Sequence, residues 1–208
     1  MTSDSSKLSD SVSAVLGSLT RKPKYVGRIT HKLSPRGERK LLNKFAVVGF
    51  VEARLFGPDG KLKQLEQGYN LVTDYGDEHV GERMALDSQD IVTGMRLGTN
   101  SATAASKAGA GAALVAYIAA SQEALDAAAV GSDKGAGLGW RQAHICTWIA
   151  GDVTNATINE VVLTDETAIT DTAGVVGDTV ARFVFGSTID KQAGDSLEVT
   201  WNVDFLGA

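Results

Sequence analysis

S-L-E-V-T-W-N-V-D-F, residues Ser196 to Phe205, alternates apolar and polar side chains without a break. In an extended chain Leu197, Val199, Trp201, Val203 and Phe205 point one way, and Ser196, Glu198, Thr200, Asn202 and Asp204 the other, because successive strand side chains leave opposite faces. Such a strand sits in an antiparallel sheet with one face on a core and one face wet.

The segments before it extend the same reading. Val180 to Ser187, Thr157 to Leu163 and Trp140 to Ala150 are β-branched or aromatic runs, with Asp152 to Asn155 as a turn between the last two. Further upstream, Asn43 to Leu65 reads as a strand, the turn Gly57-Pro58-Asp59-Gly60 and a returning strand. Tyr69 to Tyr75 reads as a short strand ended by Gly76. Asp77 then caps a helix from Glu78 to about Leu86, with Val80 and Met84 on one face. Ile91 to Leu97 and Leu114 to Ile118 are further strands, with Gly98-Thr99-Asn100 as a turn between them. Two stretches of small residues interrupt the pattern. Residues 101–113 read as an irregular loop; in 121–139 the first half has helix propensity, and G-S-D-K-G-A-G-L-G reads as irregular. Many short strands without alternating helices predict a mainly β fold, an antiparallel β-sandwich or jelly-roll-like body over residues 45–208 with one short helix.

Residues 1–44 differ from this body. The first 20 are serine-rich, with Leu8, Val12, Val15, Leu16 and Leu19 at helical spacing, a short amphipathic helix for a partner surface. Pro23, Gly27, Pro35 and Gly37 then break any long regular element. Arg21, Lys22, Lys24, Arg28, Lys32, Arg36, Arg39, Lys40 and Lys44 stand against Glu38 alone. That stretch carries +8 and leaves −13 on the rest of a chain whose net charge is −5. An extended basic arm on an acidic body predicts salt-sensitive docking on an acidic protein surface, through Arg21, Lys22, Lys24, Arg28, Lys32, Arg36, Arg39 and Lys40. Nucleic acid is the weaker partner, because Tyr25 alone offers a base-stacking ring among these charges.

Composition narrows the function classes. Of 208 residues 43% are hydrophobic, enough for a sizeable core, and 23 glycines against 3 prolines suit many tight turns. One cysteine, Cys146, excludes an internal disulfide framework and a cysteine metal cluster. Met1 to Asp10 is polar and charged, unlike a signal peptide, so synthesis in a reducing cytoplasm is expected. The most apolar run, Ala108 to Ala120, falls short of the roughly 20 residues that cross a bilayer, so no membrane insertion is expected.

Catalytic constellations are weak. His31, His79 and His144 lie outside any G-x-S-x-G context. His144 and Cys146 share a strand face, but without a third polar partner the pair reads as a packed thiol beside an imidazole. Asp165, Glu166, Asp171 and Asp178 could pair as glycosidase carboxylates or hold Ca²⁺ loosely; the reading preferred is ordinary turn acids. Gly135 to Gly139 leads into a strand and lacks the continuation of a phosphate loop, and Asn155-Ala156-Thr157 reads as a turn. Trp148 and Trp201, in register with apolar neighbours, predict core packing, while Trp140 could meet a sugar. No catalytic residue, cofactor or metal ligand is therefore assigned.

The ordered set of segments resembles a family of tailed-bacteriophage virion structural proteins. The resemblance rests on N-L-V-T (Asn70–Thr73), M-R-L-G-T-N-S (Met95–Ser101) and A-L-V (Ala113–Val115), then T-W-I-A-G-D-V-T-N-A-T-I-N-E-V-V-L (Thr147–Leu163). It closes with A-R-F-V-F (Ala181–Phe185) and K-Q-A-G-D-S-L-E-V-T-W-N-V-D-F (Lys191–Phe205). It covers about residues 45–206 and leaves the arm without a counterpart. The resemblance implies a β-sandwich module of tail fibres, baseplate appendages or capsid surfaces, made in the host cytoplasm and acting by assembly. It carries over no catalytic residue. The expected role is a homo-oligomeric virion structural protein, a tail or surface appendage, that binds other virion proteins. A capsid decoration protein and a module recognising a host surface glycan are the alternatives.

Overall fold

The computed structural model describes residues 46–85, 90–127, 129–134, 139–165 and 176–206. Within them ten strands form two five-stranded sheets in which every pairing is antiparallel. The strands are β1 (Ala46–Phe56), β2 (Leu62–Tyr69), β3 (Leu71–Val72), β4 (Gly94–Gly98), β5 (Glu123–Ala124), β6 (Val130–Asp133), β7 (Trp140–Trp148), β8 (Asn155–Thr164), β9 (Thr179–Lys191) and β10 (Ser196–Leu206). The first sheet runs β2-β1-β10-β7-β6 and the second β3-β9-β8-β4-β5. The chain thus changes sheet four times among the described strands. The body is a β-sandwich, with one α-helix among the described residues, α1 (Asp74–Ala85).

The alternating stretch that opens the reading is β10, and it lies in the middle of the first sheet. It pairs with β1 over the full register from Ala46↔Leu206 to Phe56↔Ser196, and with β7 on its other side. Leu197, Val199 and Trp201 enter the core with Val51, Ala53, Leu55, Cys146 and Trp148. Met95, Leu97, Ile158, Val161, Leu163 and the Phe183–Phe185 pair meet them from the second sheet. Trp148 and Trp201 are both fully buried, as their register with apolar neighbours predicts.

The polar face of β10 is less uniform than its sequence. Asp204 is buried, held by Lys134 at 2.6 Å and by its cross-strand neighbour Arg141 at 2.7 and 3.0 Å. Burial pushes this carboxyl up, but the hydrogen bonds from Arg141 and Lys134 outweigh it and hold it below its ordinary value.

The hairpin β1–β2 forms as read, with Lys61 donating its backbone N–H to Asp59 Oδ1 at 3.1 Å in the turn. The run Tyr69–Tyr75 does not make one strand. Tyr69 ends β2, Leu71–Val72 form β3, and Asp74 already belongs to the helix. The helix begins three residues before the expected cap because Thr73 caps it: Thr73 Oγ1 accepts from the Gly76 N–H at 2.9 Å. The same hydroxyl donates to the Thr179 carbonyl at 2.6 Å, which ties the helix start to β9. The buried face of α1 is therefore Gly76 and His79, not Val80 and Met84; Met84 is 71% exposed.

Two other expectations change, and a third holds with an addition. Leu114 to Ile118 contributes only an isolated bridge, Gly98↔Tyr117, since Val115 and Ala116 spend their N–H groups on a side chain. Residues 121–134 are not an irregular excursion with a helical start. Glu123–Ala124 add to β4, and Gly131-Ser132-Asp133 belong to β6, paired with β7. Small residues make poor strands alone, but here an existing edge supplies the ladder. Residues 101–113 are irregular as expected, apart from a 3₁₀ turn at Gly109–Ala112, yet Gly111, Ala112 and Ala113 are buried.

Between β7 and β8, Lys191 Nζ reaches in to donate to the carbonyls of Ile149 at 3.0 Å and Asp152 at 2.5 Å. Burial lowers the Lys191 ammonium below its ordinary value. Val153 in this loop sits at φ 41°, costly for a β-branched residue. Its side chain packs against the core in return.

The helix–sheet contact makes a sharp prediction. A Cβ on Gly76 would lie 2.0 Å from the Val180 carbonyl oxygen, whereas at the exposed helical Gly81 it would meet nothing within 4 Å. Gly81→Ala should stabilise the protein by about 0.5–1 kcal/mol through helix propensity. Gly76→Ala should cost about 1–3 kcal/mol, because backbone must move. Urea unfolding of the two variants checks the opposite signs.

Candidate functional site

Besides the buried Asp204 and Lys191 already described, two further groups of buried polar side chains do different things. The first lies on the outer face of the second sheet. Glu160 of β8 and Arg182 of β9 are both fully buried and paired, Nε and Nη2 of Arg182 both donating to Oε2 of Glu160, at 2.9 and 2.6 Å. The remaining valences go to the small-residue segment. Glu160 Oε1 accepts from the N–H of Asn100, Val115 and Ala116 at 3.3, 3.2 and 3.0 Å. Arg182 donates to the carbonyls of Gly111 and Thr103 at 3.3 and 3.1 Å. Gly98 lies under this cluster, where a Cβ would meet Glu160 Oε1 at 2.5 Å. A buried ion pair is stable only when its further lone pairs and protons are satisfied, and here backbone groups do so. This group holds a loop on a sheet; it offers no open position.

The second group faces a cavity of about 680 Å³. Two turns of α1 beyond its Thr73 cap, His79 is buried beside the end of β8. There Asp165, itself buried, accepts from Tyr75 Oη and from His79 Nδ1, both at 2.7 Å. Both bonds fall on Oδ2 of Asp165 and fix the His79 ring through Nδ1. Burial, followed by the hydrogen bond to Asp165, raises the Tyr75 hydroxyl above its ordinary value.

His144 of β7, 4% exposed, lines the same cavity, and its Nδ1 is sealed and unpartnered among the described residues. Burial, with a smaller contribution from nearby His79, pulls this imidazole down to about 4, so it is neutral at pH 7. The lining is mostly apolar, with Val80 and Met84 from the helix, Leu163 from β8, and Val203 and Phe205 from β10, and Arg83, Thr93 and Gln142 add polar groups. This explains why the last two apolar residues of β10 are only partly buried.

Chemically, His79 is an imidazole oriented by Asp165. A nucleophilic mechanism would also need a hydroxyl or thiol within reach. Among the described lining residues Thr93 is the one aliphatic hydroxyl, and there is no serine or cysteine. Cys146, two residues from His144 on the same face, does not join it. Its Sγ lies 3.4 Å from the Glu123 carbonyl, and burial raises the thiol well above its ordinary value, so it is inert. What the arrangement can do is hold a molecule by hydrogen bonds in an apolar setting.

The proposed docking residues Arg21, Lys22, Lys24, Arg28, Lys32, Arg36, Arg39 and Lys40 lie outside the described residues, as does His31. Of the acidic run, Glu166 and Asp171 also lie outside them, while Asp165 is spent on Tyr75 and His79 rather than on a second carboxylate. No group of three or more potential metal ligands occurs among the described residues. Of Gly135 to Gly139, only Gly139 is described. Asn155 Oδ1 accepts from the Thr157 N–H at 2.8 Å, the turn expected of that sequon. No helix among the described residues is long and apolar enough to cross a membrane.

No protein-family model, curated protein or solved structure matches the chain.

The sequence reading named His79 and Asp165 separately and missed their meeting. The signal is present as Thr73-x-x-Gly76-x-x-His79, a helical stripe of cap, close contact and imidazole. Glu160 and Arg182 were visible as single charges inside otherwise apolar strands.

Two predictions come from these groups. Glu160→Gln should cost about 3–5 kcal/mol, since Arg182 is left as a buried charge without a counter-ion. Urea unfolding measures the loss, and hydrogen exchange at Val115 and Ala116 should accelerate before that of β10. For His144, the unfolded imidazole binds a proton below about 6.5 and the folded one only near 4. Stability is then complete above pH 6.5 and falls by about 3 kcal/mol as pH drops towards 4. His144→Leu should remove that slope from urea midpoints recorded between pH 7 and 4.

Proposed function

We propose that this chain is a non-catalytic structural protein that assembles with copies of itself and with other proteins as a tail or surface appendage of a tailed-bacteriophage virion. The family resemblance over residues 45–206 supports the virion setting, and the β-sandwich is the fold which that resemblance implies. The observation that carries the assembly reading is a set of exposed apolar side chains on the outer face of edge strand β2, interspersed with Glu52, Arg54 and Gln67. Leu65 is 44% and Tyr69 45% exposed on edge strand β2, and Phe50 packs edge-on against Tyr69 at 5.4 Å. Exposed apolar groups clustered on a sheet edge favour protein contacts. The basic residues from Arg21 to Lys40 would supply a second contact, to an acidic neighbour in the virion.

Half-exposed Trp140 favours a second reading, a module that recognises a host glycan. Light scattering of the full chain separates the two. A discrete oligomer, reduced to smaller species by Leu65→Lys with Tyr69→Lys, is expected for the assembling protein. An antibody against the chain should also label intact phage particles. A monomer at every concentration, absent from particles and binding a glycan array through Trp140, would overturn the proposal.

A further inference from the structure

We propose, building on the assembly reading, that the outer face of the first sheet is the contact between two copies of this chain. The copies stack face to face about a two-fold axis, with β2 of each lying over β7 of the other. The outer face of the second sheet lies under the small-residue segment. On the first sheet the outward side chains of β1 from Phe50 to Arg54, and of β10 from Ser196 to Asn202, all keep partial or full exposure.

Three properties of that face select a second copy. Its relief is self-complementary. In register across the strands, Leu65 and Tyr69 of β2 with Phe50 of β1 make a raised half, and Ala143 of β7 with Thr200 and Asn202 of β10 make a low half. Leu62, 52% exposed, extends the raised half. A two-fold axis between β1 and β10 sets the raised half of each copy on the low half of the other, the large-over-small arrangement by which packed sheets interdigitate. Its charge is balanced. The charged outward side chains of β1, β10 and β7 are Glu52, Arg54, Glu198, Asp204 and Arg141, and Lys134 joins them. Their ion pairs close within the face, Arg54 with Glu52 and Glu198, and Asp204 with Arg141 and Lys134. Asp126, beside Thr147, adds one exposed charge at the rim. A chain of net charge −5 can therefore meet its own copy here with little repulsion, and a strongly charged partner is not favoured. Its size suffices. The strands β2, β1, β10 and β7 are 8 to 11 residues long. At about 4.8 Å between strands and roughly 3.3 Å per residue they give a footprint of about 600 Å² before side-chain relief is counted. Specific interfaces take about 600–1,000 Å² from each partner.

Light scattering of the full-length protein beside Ala143→Arg, Asn202→Arg and Met84→Arg tests the contact. Ala143 and Asn202 are outward, partly exposed positions of the low half, so an arginine there blocks the partner's raised half without entering the core. Met84 stands on α1, outside the face. The expected result is a dimer, or an even-numbered assembly of such dimers. Its mass should halve in Ala143→Arg and Asn202→Arg and stay unchanged in Met84→Arg, with cooperative urea transitions showing each variant folded. An odd-numbered assembly, or one whose mass survives in the folded Ala143→Arg and Asn202→Arg proteins, would overturn this face while self-assembly stands. A monomer at every concentration would overturn self-assembly itself.

Discussion

The buried pair Glu160–Arg182 governs the second sheet. Two opposite charges without solvent access must be matched by each other and by every remaining hydrogen-bonding group around them. Here the surrounding groups are backbone N–H and C=O from residues 100–116, so the small-residue segment is fixed by a demand of the ion pair rather than by its own propensity. Two glycines mark the tight approach: a Cβ on Gly98 would meet Glu160 Oε1 at 2.5 Å, and one on Gly111 the Ala104 carbonyl oxygen at 2.5 Å. The consequence reaches the strands. From Ile158 to Thr164 every residue of β8 is buried, because the first sheet covers one face and the small-residue segment helps to cover the other. A strand covered on both sides loses the alternation that marks a half-wet one.

Helix α1 obeys a comparable closure. Thr73 caps it, binds β9 through the same hydroxyl, and so decides where the first turn begins. With Gly76 against the Val180 carbonyl, the next residue on that face is His79, delivered to Asp165 at the end of β8. The helix therefore presents its polar, small-residue side to the sheet and leaves Val80 and Met84 for the cavity. That is an unusual division for a surface helix, whose apolar stripe normally faces the core. It is why the cavity keeps apolar walls and two oriented histidines at once.

These features place possible functions in different parts of the molecule. The outer face of the first sheet, with Leu65, Tyr69 and Phe50, suits contacts between proteins. The end of the sandwich holds His79 and His144 on one mostly apolar cavity.

By itself the sequence determined the strands whose pattern is local: β10 with its strict alternation, the β1–β2 hairpin with its turn residues, and the long runs of β7, β8 and β9. Period-two patterning survives wherever one face stays wet, and turn chemistry is written in a few adjacent residues. Tertiary structure alone decided what small or charged residues did. Gly131 to Asp133 became a strand because β7 offered an edge; Val115 and Ala116 left a strand because Glu160 took their amides. Asp165 became the partner of His79 rather than a turn acid, and His144 was stranded without one. Propensity acts between neighbours in the chain, whereas charge and hydrogen-bond demands inside a low-dielectric body are met by whatever groups the fold brings near.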